Sequence, residues 1–277
     1  MLATKYHESN FESRGSDRPV EVHVLASGSS GNAVYIKNEQ TSILIDAGIS
    51  ARKITTALES VGASAADLDA VLITHEHDDH VKGLQTLLKK YRLPIYAKPA
   101  AWQAIGFKEP PPDSCYRGMP DSISLGAVKI EPFAISHDAA DPVGFNLFCG
   151  PTKCSVATDL GFVTDSVKKK LALSDIMVLE SNHDIDMLRQ GSYPWMLKKR
   201  IMSNRGHLSN NDAGWTLARL PRKQHTHVFL AHLSKENNRP ELAHATVSDI
   251  LCGQGLTIGK DISLQLTFPD QTASLVR

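Results

Sequence analysis

Cysteine is scarce in this 277-residue chain, and none of the four (Cys115, Cys149, Cys154, Cys252) stands at CxxC spacing. That argues against a disulfide framework or a zinc knuckle and for reduced, mostly buried thiols of a cytoplasmic protein. Net charge is lacking too. Thirty basic residues balance thirty acidic ones, so the molecule as a whole is no general polyanion binder. No run approaches 18 consecutive apolar residues, so no membrane span is expected. The opening stretch, MLATKYHESNFESRGSDRP, has no apolar segment of the kind a secretory signal carries. It reads as a flexible tail, residues 1–19, ahead of one domain over residues 20–277. Hydrophobic residues, at 42%, are plentiful enough to build a core.

Apolar patterning predicts strands at 20–27, 33–38, 41–48, 68–74 and 94–98. Between them Ile54, Leu58 and Val61 recur at helical spacing, with Gly62 as a stop, and predict a helix over 51–62. Val81, Leu84, Leu87 and Leu88 mark a second helical face. The later half repeats the style, with strands at 127–136, 143–150, 152–158, 175–181 and 226–232 and a closing strand at 261–268. Helices are predicted at 163–173, 183–203, 211–220 and 240–253. Two strand-rich halves, each with helices, predict two sheets packed face to face with helices outside.

The stretch VLITHEHDDHVKG, residues 71–83, concentrates three histidines and three acidic residues within His75 to His80. Asp78 and Asp79 suit a helix start, where short acidic side chains meet free amides. Beside a core strand, though, so many polar groups are costly unless something binds them. His75 and His77 are two apart, so in an extended segment their rings project the same way. Asp79 and His80 follow as the helix begins and point elsewhere, an arrangement that suits two ions better than one. Further ligands belong where buried strands end, because rigid strand ends position side chains accurately. His137 after VKIEPFAIS, Asp159 after CSVAT and His232 after HVFLA fit that description. Asp46, in LIDAG, fits a supporting role, accepting a hydrogen bond from a ligand histidine and fixing its tautomer. The remaining histidines lack this setting, and His23 reads as packed within its strand.

These residues resemble the metallo-β-lactamase superfamily, whose HxHxDH motif stands here as HEHDDH (75–80), with Asp46 upstream and His137, Asp159 and His232 downstream in matching order. The resemblance spans roughly residues 20–265 and implies an αββα sandwich. A closer likeness is to the YycJ/WalJ branch of bacterial 5′-to-3′ DNA exonucleases. LASGSSGNA (25–33), SHDAADPVGF (136–145), LESNHD (179–184), RGHLSN (205–210) and AHLSKENNRPELA (231–243) carry it. The LES and GHLS segments are similar to those of transfer-RNA-processing RNase Z enzymes.

The resemblance implies two divalent ions. His75, His77 and His137 would hold the first, and Asp79, His80 and His232 the second. Asp159 would bridge, and the two ions would share a hydroxide as nucleophile. It implies catalytic parts for Asp79, for His207 as proton donor to the leaving group, and for Glu180 behind it. Ser30, Asn32, His183 and Arg205 are the substrate-contact candidates, with the amides of GSSGN (28–32) offered to a phosphate. Histidine-rich ligation suits Zn2+, while the carboxylates leave Mn2+ open.

Local charge points to a nucleic-acid substrate, DNA by the resemblance. Residues 189–223 carry Arg189, Lys198, Lys199, Arg200, Arg205, Arg219, Arg222 and Lys223 against Asp212 alone. Tyr193, Trp195 and Trp215 lie among them as stacking candidates, or as core residues. Small thioesters and cyclic phosphodiesters are the alternative substrates, and a metal-stabilised binding protein the non-enzymatic one.

Overall fold

The computed structural model describes residues 19–39 and 41–277; the tail expected at 1–19 lies outside the described residues apart from Pro19. The first sheet is built from β1 (Val20–Ala26), β2 (Ala33–Asn38), β3 (Thr41–Ile45), β4 (Ala70–Leu72), β5 (Ile95–Ala97) and β6 (Tyr116–Gly118). The second sheet holds β7 (Ile123–Leu125), β8 (Val128–Ala134), β9 (Val143–Cys149), β10 (Thr152–Ala157), β11 (Ile176–Glu180), β12 (Thr226–Ala231) and β13 (Ile262–Leu266). The last strand, β14 (Ala273–Val276), returns to the first sheet. The orders are β14-β1-β2-β3-β4-β5-β6 and β13-β12-β11-β10-β9-β8-β7. Each sheet is antiparallel on one side and parallel on the other. The parallel ladders run β3 to β6 in one and β10 to β13 in the other.

Strand periodicity sorts side chains into three apolar layers. Ile43 and Ile45 of β3 point between the sheets, where they join Val22, Val24, Leu72, Phe145, Leu147, Val178 and Phe229. Leu44 points the other way, onto Ile54 and Leu58 of α1 (Ala51–Ser60) and Leu84, Leu87 and Leu88 of α3 (Leu84–Tyr91), which follows the short α2 (Asp78–Val81). A further helix, α4 (Pro99–Ala104), follows β5. On the outer face of the second sheet Met177, Leu179, Val228 and Leu230 meet α5 (Asp165–Leu171), α8 (Asn210–Arg219) and α9 (Pro240–Gly253). Strands buried on both faces read as continuous apolar runs, which is why VLI, IMVLE and HVFLA lack alternation. The αββα sandwich expected from the sequence is the fold observed.

Three expectations need correction. The helix expected over 183–203 is two helices, α6 (Ile185–Gln190) and α7 (Trp195–Ile201). Pro194 caps the second and has no amide to continue the first. The strand at 261–268 does not close the fold, because β14 follows and pairs with β1. Trp195 and Trp215 are not core residues, being 67% and 37% exposed. No helix among the described residues is long and apolar enough to cross a membrane.

Candidate metal centre

The motif residues sit where β4 runs out of the core. His77 keeps an extended backbone and occupies the cap position of α2, so Asp78 and Asp79 fall in its first turn. From the second sheet, His137 follows β8, Asp159 follows β10, Glu180 ends β11 and His232 follows β12. Asp46, Asp159 and His232 hold φ of 61°, 58° and 57°, in the left-handed region. Such backbone costs of order 1–3 kcal/mol per residue, and it turns each side chain off its strand's end toward one point. Gly48 leaves room for this. A Cβ there would stand 1.7 Å from the Asp79 carbonyl oxygen.

The ring nitrogens divide into outer and inner sets. His80 Nδ1 donates to Asp46 Oδ2 at 2.7 Å, His137 Nδ1 to the Gly206 carbonyl at 3.0 Å, and His232 Nδ1 to Glu180 Oε1 at 2.8 Å. His75 Nδ1 faces Thr74 Oγ1 at 3.0 Å, and that hydroxyl is itself spent on Asp46 Oδ2 at 2.8 Å. Each outer nitrogen therefore carries a proton, and each Nε2 is the atom turned inward, a lone pair once the ring is neutral.

Those inward nitrogens face carboxylate oxygens and one another. His80 Nε2 lies 3.0 Å from Asp159 Oδ2 and 3.5 Å from Asp79 Oδ2, and His232 Nε2 lies 3.3 Å from Asp79 Oδ2. His137 Nε2 is 3.4 Å from His77 Nδ1. The buried His75 Nε2 has no hydrogen-bond partner among the described residues. Only the Asn32 amide brings a donor, at 3.2 Å from His80 Nε2. Acceptors converging on acceptors in a buried pocket call for cations, and the residues present fit divalent ions.

Ligand atoms of His75, His77 and His137 lie within 4.8 Å of one another, as do those of Asp79, His80, Asp159 and His232. A third group, Asp159, Glu180, His207 and His232, meets the same distance. Within it, Glu180 Oε1 is already shared by His207 Nδ1 (2.9 Å) and His232 Nδ1.

Burial opposes charge throughout the cluster, and the carboxylates decide which groups yield to it. Burial and the neighbouring His80 hold His75 well below the ordinary imidazole range. On His80 and His232 burial is outweighed, by Asp159 and Asp46 for the first and by Asp159, Asp79 and Glu180 for the second, so both are held well above it. Negative charge dense enough to keep protons there is dense enough to exchange them for metal. Glu180, despite full burial, is lowered to about 2 by His207 and His232, and the same carboxylate raises His207.

The structure brings Asp46, His75, His77, Asp79, His80, His137, Asp159, Glu180, His207 and His232 together. The GSSGN loop differs from expectation. The Asn32 side chain accepts from Gly28 N at 2.9 Å, and Asn32 N donates to the Asp79 carbonyl at 2.8 Å. Asn32 thus holds the motif in place. Ser30 is exposed and lines none of the cavities at the site; its neighbour Ser29 does. Arg205 is exposed, with Nε 3.4 Å from the His137 carbonyl. His183 is buried in the wall of a neighbouring cavity.

Sequence reasoning missed the supports beneath the site. Ser27 Oγ receives the His232 amide at 2.7 Å, and Asn182 Nδ2 donates to the His232 carbonyl at 2.8 Å. Asn238 ties Ser181, Asn182 and Asn210 into one buried network. The asparagine-rich runs ESN, LSNN and KENN were the available signal.

The cleft over the inner nitrogens measures about 220 Å³ and is lined by Ser29, His77, Asp79, His137, Asp159, Arg200, His207 and His232. A family model described as a beta-lactamase superfamily domain matches residues 41–233. Exodeoxyribonuclease YycJ of Bacillus anthracis is 37% identical over 249 residues, covering 89% of this chain and 94% of that protein. Exodeoxyribonuclease WalJ of Streptococcus pneumoniae is 39% identical over 263 residues, covering 91% and 96%. Among solved structures, the metallo-beta-lactamase fold protein YhfI from Bacillus subtilis aligns with a TM-score of 0.69 at 16% identity, covering 93% of this chain and all of that one. With this fold and this donor set, the chain belongs to the metallo-β-lactamase superfamily and is a metal-dependent hydrolase.

Proposed function

We propose that this chain is a nuclease that shortens DNA from its 5′ end with two divalent ions, Zn2+ or Mn2+. The observation that carries the chemistry is a mobile-proton group set against the donor cluster. His207 is tied by Nδ1 to the buried Glu180 and stands 3.6 Å from Asp159, at the edge of the cleft. The substrate assignment is supported by the two exodeoxyribonucleases, each matched over at least 94% of its length.

His75, His77 and His137 would hold one ion, Asp79, His80 and His232 the other, and Asp159 both. Bound there, the ions supply an activated water and neutralise charge on the phosphoryl oxygens. Asp46 and Glu180 fix the tautomers of His80 and His232. With Nδ1 engaged by Glu180, His207 has Nε2 left to face the substrate, and the same carboxylate raises its pKa, which favours a proton there. As water's oxygen bonds to phosphorus, the P–O3′ bond breaks and the departing oxygen takes that proton.

The test is turnover of 5′-labelled single-stranded DNA by metal-loaded protein, which should release labelled mononucleotide. His207→Ala should keep both ions by elemental analysis yet turn over about 100- to 10,000-fold more slowly. The deficit should shrink on a nitrophenyl phosphodiester, whose leaving group needs no proton. Wild-type protein that leaves DNA intact would overturn the substrate. An equal deficit on both substrates would remove His207 from the acid role.

A further inference from the structure

Past His207, on the side away from the donor cluster, lies a cavity of about 390 Å³, within the range of about 300–1,000 Å³ that small molecules occupy. His207 is the residue its lining shares with the cleft. Seven large apolar side chains are exposed among the described residues, and three of them, Phe162, Met202 and Trp215, line this cavity. Such clustering beside a polar site marks a recognition surface. The Arg219 guanidinium sits 5.0 Å from the Trp215 ring centroid, and Arg189 and Lys168, the latter paired with Asp165 at 3.0 Å, add positive charge against Asp212. His183 also lines the cavity. It is 2% exposed, and its Nδ1 has no hydrogen-bond partner among the described residues. A buried, unpartnered ring nitrogen in a cavity wall invites a ligand's polar edge.

We infer that this cavity seats the 5′-terminal nucleotide of the strand, its base stacked on Trp215 and its phosphate among Arg219, Arg189 and Lys168. The inference rests on the reading of His207 as proton donor. If His207 protonates O3′, the nucleoside bearing that oxygen lies on the His207 side of the scissile phosphate. When cleavage leaves the strand's next phosphate on the shortened chain, that nucleoside is the terminal one of the 5′ end. A 3′ end cut to the same kind of product would place its terminal nucleotide on the opposite, water-attack side. A terminal-nucleotide site on the His207 side thus accounts for which end is shortened.

The experiment compares DNA with a normal 5′-terminal nucleotide, with an abasic one, and with the abasic residue placed five nucleotides inward, on wild type and Trp215→Ala. Base–aromatic stacking is worth enough to change kcat/KM by about 5- to 150-fold. Wild type should lose that factor on the abasic end and nothing on the inward lesion. Trp215→Ala should lose it on the normal end and show no further loss on the abasic end, and Trp215→Phe should recover most of it. Metal content and melting temperature of the variants report their folding. In parallel, deoxyadenosine monophosphate should quench wild-type tryptophan fluorescence and leave Trp215→Ala unchanged. Equal loss by Trp215→Ala on both ends, or wild-type indifference to the abasic end, overturns the subsite. Failure of wild type to shorten any DNA overturns the proposed function instead. The quenching then decides the subsite by itself: Trp215-dependent quenching upholds it, and no quenching overturns it.

Discussion

At the scale of single residues, buried histidines are driven in opposite directions. His80 and His232 face carboxylates and hold protons in the metal-free protein, whereas His183 has burial as its main influence and is lowered to about 4. The sign of its effect follows. As pH falls below 6.5 the unfolded chain protonates this side chain, while the folded chain resists until about pH 4. His183 therefore withdraws stability progressively between those values, by roughly 3 kcal/mol once both are passed. We predict that His183→Asn gains on wild type by up to that amount as pH drops from 7 to 4, in denaturant melts of both chains stripped of metal. A gap independent of pH would show that His183 is not held neutral. The HxHxDH histidines stood out in the sequence through their density. LESNHD marked His183 as a substrate-contact candidate, but its neutrality was not legible there, because it comes from burial by residues distant in the chain.

At the scale of elements, the turn between α6 and α7 changes the meaning of the basic stretch. Lys198 is buried, and its Nζ donates to the Arg189 carbonyl at 2.7 Å, closing the end of α6. Arg222 likewise holds the Leu217 carbonyl at 2.6 Å, and Lys223 pairs with Asp175 at 2.6 Å. Lys199 is exposed, and Arg200, paired with Asp138, lines the cleft. Neutralising Lys199 and Arg200 together should weaken single-strand binding and reduce its log–log salt slope by about 1.4, at roughly 0.7 per phosphate contact. Lys198→Ala should leave that slope alone and instead lower stability by about 1–3 kcal/mol, since a carbonyl loses a charged donor. Titrations at several salt concentrations, with melts alongside, separate the two. A slope change for Lys198→Ala equal to that of the pair would place its ammonium on the strand. Charge counting along the chain cannot distinguish a lysine that caps a helix from one that meets solvent, because the difference lies in the Pro194 turn that folds α7 back on α6.

At the scale of the molecule, both donor groups straddle the sandwich. His75, His77, Asp79 and His80 come from the end of β4 in the first sheet, and His137, Asp159 and His232 from β8, β10 and β12 in the second. An ion in either group ties the two sheets together at one edge. We predict close to two ions per chain by elemental analysis at saturating metal. Loaded protein should gain about 4 kcal/mol per bound ion over stripped protein when free metal is a thousandfold above its dissociation constant. Chelator should accordingly lower the melting temperature. His80→Ala should retain about one ion and part of the gain. A melting temperature indifferent to chelator would mean that the inward-facing acceptors are tolerated without cations.

The sequence by itself determined which atoms are offered for chemistry and roughly where the chain turns. The donors are written in HEHDDH and at the ends of apolar runs, since a buried strand can release a polar side chain only where it leaves the core. Layering followed from periods of 2 and 3.6, which are properties of a few consecutive residues. Tertiary structure alone decided what depends on residues far apart in the chain. The pairing of β14 with β1 spans about 250 positions. The choice of protonated nitrogen also follows partners distant in the chain: Asp46 for His80, the Gly206 carbonyl for His137, Glu180 for His232. The loop at 28–32 holds Asp79 because β1 and α2 meet there, and the cavity beyond His207 exists because α6, α8 and the loop after β10 close around it. A local pattern records a side chain's chemistry; its partner is set by the sheet order that brings two distant segments within hydrogen-bonding distance.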